Sequence, residues 1–201
     1  MALTRLGANQ SINLATNTTG TLGVANGGTG LTSGTSGQFL KFTGSTTLAS
    51  AADNGKVLKV QQFDSSVDTT STSSSFSTFK TNSFTPTSAS STIYFFLNYN
   101  YQLYGNGSSS NADGKINITS EATGSSVVIC QDAFTMVSIG NSNTFYQEMA
   151  GSMSGSQASQ GTSAFDITLR LATRGTGRIR VFDSSGDNDK PTMLTVMEVA
   201  A

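Results

Sequence analysis

Six carboxylates lie in or beside runs that alternate apolar and polar residues: Asp113, Glu121, Asp132, Glu148, Asp166 and Glu198. Two carboxylates facing one bond suffice for glycoside hydrolysis. They read as ordinary surface or interface charges. Cys130 is the sole cysteine and sits in Val127-Val128-Ile129-Cys130. It reads as a small buried thiol with no disulfide partner in its own chain. The sequence contains no histidine. That excludes a Ser-His-Asp triad, a Cys-His pair and any His-ligated metal. The acidic run Asp183-Ser-Ser-Gly-Asp187-Asn188-Asp189 offers oxygen ligands to calcium. It lacks the terminal glutamate and the full spacing of an EF-hand, and reads as a solvated hairpin loop. Asn26-Gly27-Gly28-Thr29-Gly30 is rich in glycine, but no Gly-Lys-Ser/Thr follows it and no strand-to-helix context surrounds it. It reads as a turn. The expectation is a protein that is not an enzyme and holds no cofactor or metal. One binding feature remains. Tyr104 with Asn106 and Asn111 combines an aromatic face with amides, which suits a saccharide, and forms a candidate receptor-contact loop.

Composition narrows the partners. Only 11% of residues are charged, against about 25% in an average globular chain. The net charge is −1. A nucleic-acid binder needs a basic patch that displaces counterions from phosphate. Here Arg170, Arg174, Arg178 and Arg180 are followed by Asp183, Asp187 and Asp189, so nucleic acid is not expected. Disorder calls for few aromatics and high net charge, whereas this chain has 12 Phe and 5 Tyr. The apolar stretch Ile93 to Leu97 is far shorter than the roughly 20 residues of a membrane helix, so no membrane insertion is expected. The opening Met-Ala-Leu-Thr-Arg-Leu-Gly lacks the apolar core of a signal peptide. Synthesis and folding in a cytoplasm are expected.

The elements that position these groups are strands. Residues 1–55 are rich in Gly, Thr, Ser, Asn and Ala, with apolar residues too sparse for a core of their own. They read as an extended arm, with short strands at Gly20 to Ala25 and Gln38 to Phe42 around the Gly-rich turn. Residues 56–201 alternate strand-like runs with polar turns: Lys56–Asp64, Phe76–Thr85, Thr92–Tyr104, Gly114–Glu121, Ser125–Ala133, Thr144–Ser152, Ala164–Thr173, Gly177–Asp183 and Thr192–Ala200. The segments Asp68–Ser75 and Ser154–Ser163 read as loops. Many short strands at regular spacing predict an antiparallel β-sandwich.

Parity within the runs says more. Phe165, Ile167, Leu169 and Leu171 alternate with polar residues, as one wet face requires. Two runs differ. Ile93, Phe95, Leu97, Tyr99, Tyr101 and Leu103 share one face, yet Tyr94 and Phe96 occupy the other. Leu194 and Val196 share one face, while Met193, Met197 and Val199 occupy the other. Apolar residues on both faces predict that both faces are covered. The second cover is expected to be a neighbouring subunit, at on the order of 25 cal/mol per Å² of apolar surface removed from water. Tyr94, Phe96, Met193, Met197 and Val199 are therefore the candidate subunit seam.

Two segments resemble known families. Thr19-Gly20-Thr21-Leu22-Gly23-Val24-Ala25-Asn26-Gly27-Gly28-Thr29-Gly30 resembles the Gly-Thr-Leu-Pro-Val-Ala-Asn-Gly-Gly-Thr-Gly module of phage tail-fibre and virion proteins, with Gly23 in place of the usual proline. Thr32-Ser33-Gly34-Thr35-Ser36-Gly37-Gln38-Phe39-Leu40 is similar to that family's continuation. The stretch Phe84-Thr85-Pro86-Thr87-Ser88-Ala89-Ser90-Ser91, the run Ile93 to Tyr101 and the ending Leu194-Thr195-Val196-Met197-Glu198-Val199 are similar to trimeric jelly-roll domains of the tumour necrosis factor and complement C1q type. The resemblance implies a homotrimeric structural protein of a bacteriophage particle. Residues 26–30 would lie in an arm that anchors to other virion proteins. Residues 56–201 would form a head that projects, or touches a host-surface glycan or protein. The alternative is a capsid decoration protein whose arm laces shell subunits together. Independently of either, Leu194→Asp or Val196→Asp is expected to abolish folding by burying an unpaired charge. A native-like circular dichroism spectrum in both variants would refute the inward assignment.

Overall fold

Ile93, Phe95, Leu97, Tyr99, Tyr101 and Leu103 are all buried, and their strict alternation defines the strand around which the domain is built. The computed structural model describes residues 34–45, 47–51, 55–65, 68–105, 112–121, 125–136, 145–159, 161–174, 177–181 and 192–201. The elements among them are all strands: β1 (Phe39–Phe42), β2 (Leu48–Ala51), β3 (Val57–Ser65), β4 (Thr69–Ser71), β5 (Ser77–Phe84), β6 (Ser91–Gly105), β7 (Ala112–Ser120), β8 (Val127–Met136), β9 (Phe145–Ala158), β10 (Phe165–Thr173), β11 (Arg178–Val181) and β12 (Thr192–Ala200). The chain divides into two units, Met1–Asn54 and Gly55–Ala201. Within the first, β1 and β2 pair as an antiparallel hairpin. The anchoring turn Asn26 to Gly30 and the strand expected at Gly20 to Ala25 lie outside the described residues, as does the acidic run Asp183 to Asp189.

The second unit is a sandwich of two antiparallel sheets. One has the order β5-β10-β7-β8. The other runs β3-β12-β6, with β9 on the far edge of β6. The 15 residues of β6 exceed the reach of any one neighbour on its near edge. β12 therefore pairs with Ser91 to Asn98, and β11 follows it along Tyr101 to Tyr104, carrying β4 beside it. Chain-adjacent strands often lie in opposite sheets, as β5 and β6 do. The core forms where the inner faces meet. Leu194, Val196, Ile179 and Val181 join the β6 residues from one side, and Phe79, Phe84, Ile116, Ile118, Phe165, Ile167, Leu169 and Leu171 from the other. The ring of Phe84 packs tilted on Phe165, with centroids 5.9 Å apart.

Every run expected beyond residue 55 is a strand, and two expected loops are corrected. Thr69–Ser71 forms β4 inside the segment read as a loop, because β11 offers it an antiparallel edge. β9 continues to Ala158 through residues read as a linker. The long edge of β6 pairs with it from Thr92↔Ala158 to Gly105↔Phe145. Its glycines, which argue against a strand in isolation, are required by packing. A Cβ on Gly151 would sit 2.5 Å from Tyr99 Cζ, and one on Gly155 would sit 2.7 Å from Ile129 Cγ2. The Tyr99 ring is held where it is by its hydroxyl, which donates to Asp132 Oδ2 at 2.7 Å. Gly151→Ala is expected to destabilise the domain by about 1–3 kcal/mol through overpacking. An unchanged urea midpoint would show that the ring yields freely.

Candidate functional site

The outer face of the larger sheet carries the apolar residues that the core does not use. Cross-strand register arranges them in rows. Val57, Val199 and Thr92 form the first row. Val60, Met197, Tyr94 and Ser156 form the second, and Gln62, Thr195, Phe96 and Ser154 the third. A bulge in β3 between the partners of Glu198 and Val199 brings Val57 opposite Val199. In the single chain Tyr94 is 36% and Phe96 39% exposed. Val57 and Val60 are about half exposed, and Met193, Met197 and Val199 are half-buried. The structure thus brings all five expected seam residues onto one face and adds Val57 and Val60. No charged residue stands in these three rows. The fourth contains Asp64, Met193, Asn98 and Ser152.

The other end of this face is polar. Gln102 donates through Nε2 to Glu148 Oε1 at 2.7 Å. Arg180 makes a two-point ion pair with Asp68. The hydrogen bond from Arg180 holds the Asp68 carboxyl below its usual range, against an opposing effect of burial. The pair is exposed, so its contribution to stability is small. The Arg178 guanidinium lies 3.7 Å from the Tyr104 ring centroid. One face of that ring is already occupied by a cation and is closed to a sugar. Asn106 and Asn111, its expected companions, lie outside the described residues.

Of the groups that might do chemistry, Cys130 and Asp132 are held by packing and hydrogen bonds. Cys130 is half-buried against the core, and burial pushes its thiol up to about 11. It is a thiol, not a thiolate, at neutral pH. Asp132 accepts from the Tyr99 hydroxyl and from the Ala133 amide. Burial, and then this hydrogen bond, raise the Tyr99 pKa. Asp166 and Glu121 are exposed at one end of the smaller sheet, where the Glu121 amide donates to the Asp166 carbonyl.

Glu198 corrects the expectation of a surface or interface charge. It faces inward with Leu194 and Val196 and is fully buried. The crossover between the sheets, residues 85–90, closes over it. The Thr87 amide donates to Oε2 at 2.9 Å and to Oε1 at 3.0 Å, and the Thr87 hydroxyl to Oε2 at 2.8 Å. The Ser88 amide and Ser91 hydroxyl donate to Oε1 at 2.9 and 2.7 Å. Its cross-strand neighbour Lys59 donates through Nζ to the Thr85 carbonyl and stands 4.6 Å from the Phe84 ring centroid. Glu198 shares the parity of Leu194 and Val196, a signal that could have placed it inward, but no sequence signal supplied its donors.

No protein-family model matches the chain, and no curated protein shows significant similarity to it.

Burial pushes the Glu198 carboxyl up, but its amide and hydroxyl donors outweigh burial and hold it below the usual glutamate value. A depressed folded-state pKa gives stability that is complete above the unfolded value and is lost as pH falls through the folded one. Unfolding midpoints should therefore hold steady above about pH 5 and decline below about pH 4. Glu198→Gln should be less stable at neutral pH and decline less steeply on acidification. Parallel curves for the two proteins would assign the acid sensitivity elsewhere.

Proposed function

We propose that the protein is a structural subunit of a bacteriophage particle, a homotrimeric fibre or appendage whose β head is held together through the outer face of its larger sheet. The observation that carries the trimer is that face: Val57, Val60, Tyr94, Phe96, Met197 and Val199 are contiguous and uncharged, and each is exposed or half-buried in a single chain. A contiguous apolar patch of this kind marks an interaction surface. The sheet orders β3-β12-β6-β9 and β5-β10-β7-β8 support a jelly-roll reading of the sandwich. The virion assignment rests on the Gly-Thr-Leu-Gly-Val-Ala-Asn-Gly-Gly-Thr-Gly segment at residues 20–30. The arm anchors the trimer to other virion proteins, and the head projects toward the host surface. Three weak contacts on one trimer, multiplied over several trimers, give avidity without a tight single site. The protein acts by binding and assembly, not by catalysis.

Light scattering after size exclusion should give about three times the 20.8 kDa chain mass. Met197→Asp should yield a folded monomer, because it places a charge in the seam and leaves the core intact. A variant with unchanged trimer mass would refute this seam, and a monomeric wild type would refute the trimer. Release of reducing ends from host polysaccharide by the purified protein would refute the non-catalytic reading.

A further inference from the structure

We propose that the outer face of the smaller sheet binds an acidic oligosaccharide along β7, with Arg170 and Lys115 taking its carboxylates and Asn117 and Asp113 its hydroxyls. The inference rests on the adhesion reading above and names the ligand. Register brings these residues together. Arg170 of β10 stands opposite Asn117 of β7, Ala172 stands opposite Lys115, and Gln131 of β8 flanks Asn117 on its other side. All have the parity opposite to Ile116, Ile118, Leu169 and Leu171, which fill the core. The sandwich turns this face away from the larger sheet, so a seam on that sheet leaves it open.

Two independent observations point to a ligand. The first is unsatisfied polarity. Asn117 is 2% exposed, and its Oδ1 has no hydrogen-bond partner. Arg170 Nε, directly across the strand pair, is also buried without a partner, and so is Asp113 Oδ1, farther along β7. Each has given up hydrogen bonds to water without a replacement. The two Oδ1 atoms need donors and Nε needs an acceptor, and sugar hydroxyls supply both. Asp113 and Asn117 are about 13 Å apart at the rise of an extended strand, which suits a short chain and not a single ring. The second observation is unpaired positive charge. Lys115 is diagonal to Arg170, and neither makes an ion pair among the described residues. The Arg170 guanidinium touches only Ser126 Oγ, from Nη2 at 3.5 Å, and Lys115 Nζ stands 5.7 Å from the Phe76 ring centroid. A guanidinium beside an ammonium selects a carboxylate. The Ser126 contact is at the weak limit of a hydrogen bond, so little opposes movement of Arg170 as the ligand enters. Two cations in a chain of net charge −1 are too few for a nucleic acid.

Polygalacturonate is the probe, and the full-length protein is run through gels that contain it. Its mobility should fall, and a neutral galactan should leave it unchanged. Arg170→Gln and Lys115→Gln should each weaken retardation about tenfold or more. Lys56→Gln, which removes an equal charge from an exposed position beside β3, should not. No retardation, equal retardation by the neutral polymer, or equal loss in Lys56→Gln would overturn the proposal. Asn117→Val separates binding from a structural role. Its urea midpoint should be unchanged or higher, because Oδ1 has no partner to lose, while retardation weakens. A lower midpoint, or retardation equal to wild type, would remove Asn117 from the site and overturn it. Adsorption to bacterial cells that Arg170→Gln leaves unchanged would overturn the site and leave adhesion standing. A protein retarded in the gel that adsorbs to no cell would support the site and remove adhesion.

Discussion

The domain depends on one constraint, the burial of six alternate side chains along a single strand. β6 is 15 residues long and presents Ile93 through Leu103 to the interior. A strand that deep in a sandwich must satisfy backbone hydrogen bonds on both edges over its whole length. One edge takes all 14 residues of β9, and the other is shared end to end by β12 and β11. Much else follows. β12 must lie between β3 and β6, so the last strand of the chain is central. β9 must stay extended through glycines and serines, because β6 offers the pairing and Tyr99 needs the space over Gly151.

Closing the sandwich poses a second problem. The chain must cross from β5 in one sheet to β6 in the other, and that crossover carries backbone donors into a buried end. Glu198 answers them with one carboxylate. A buried charge without partners would be costly. Here amides and hydroxyls from Thr87, Ser88 and Ser91 surround it, and its charged form is favoured. The same group links the end of the chain to the joint between the sheets, so local melting of either loosens both.

The two ends of the outer face of the larger sheet divide by polarity. Rows with Val57, Val60, Tyr94, Phe96 and Met197 lack charge, whereas the far end holds Asp68, Glu148, Arg178 and Arg180. Apolar area supplies free energy without direction. In the proposed trimer the charged end adds direction, since misaligned like charges oppose a slipped register.

Local pattern determined a good deal by itself. Period-2 alternation gave the strands, their inward and outward faces and the five apolar residues on the outer face of the larger sheet, because side-chain direction in a strand follows from parity alone. Glu198 shares that inward parity, but its charge reads as a surface or interface group. Tertiary structure decided what depends on distant partners. β4 exists because β11 lies beside it, and β9 reaches Ala158 because β6 continues that far. The Glu198 donors come from 107 to 111 residues away in the chain, and Arg178 reaches the Tyr104 ring only because β11 follows β12 along β6. Pairing order and buried polar partners are properties of contacts across the chain, and no local window of residues contains them.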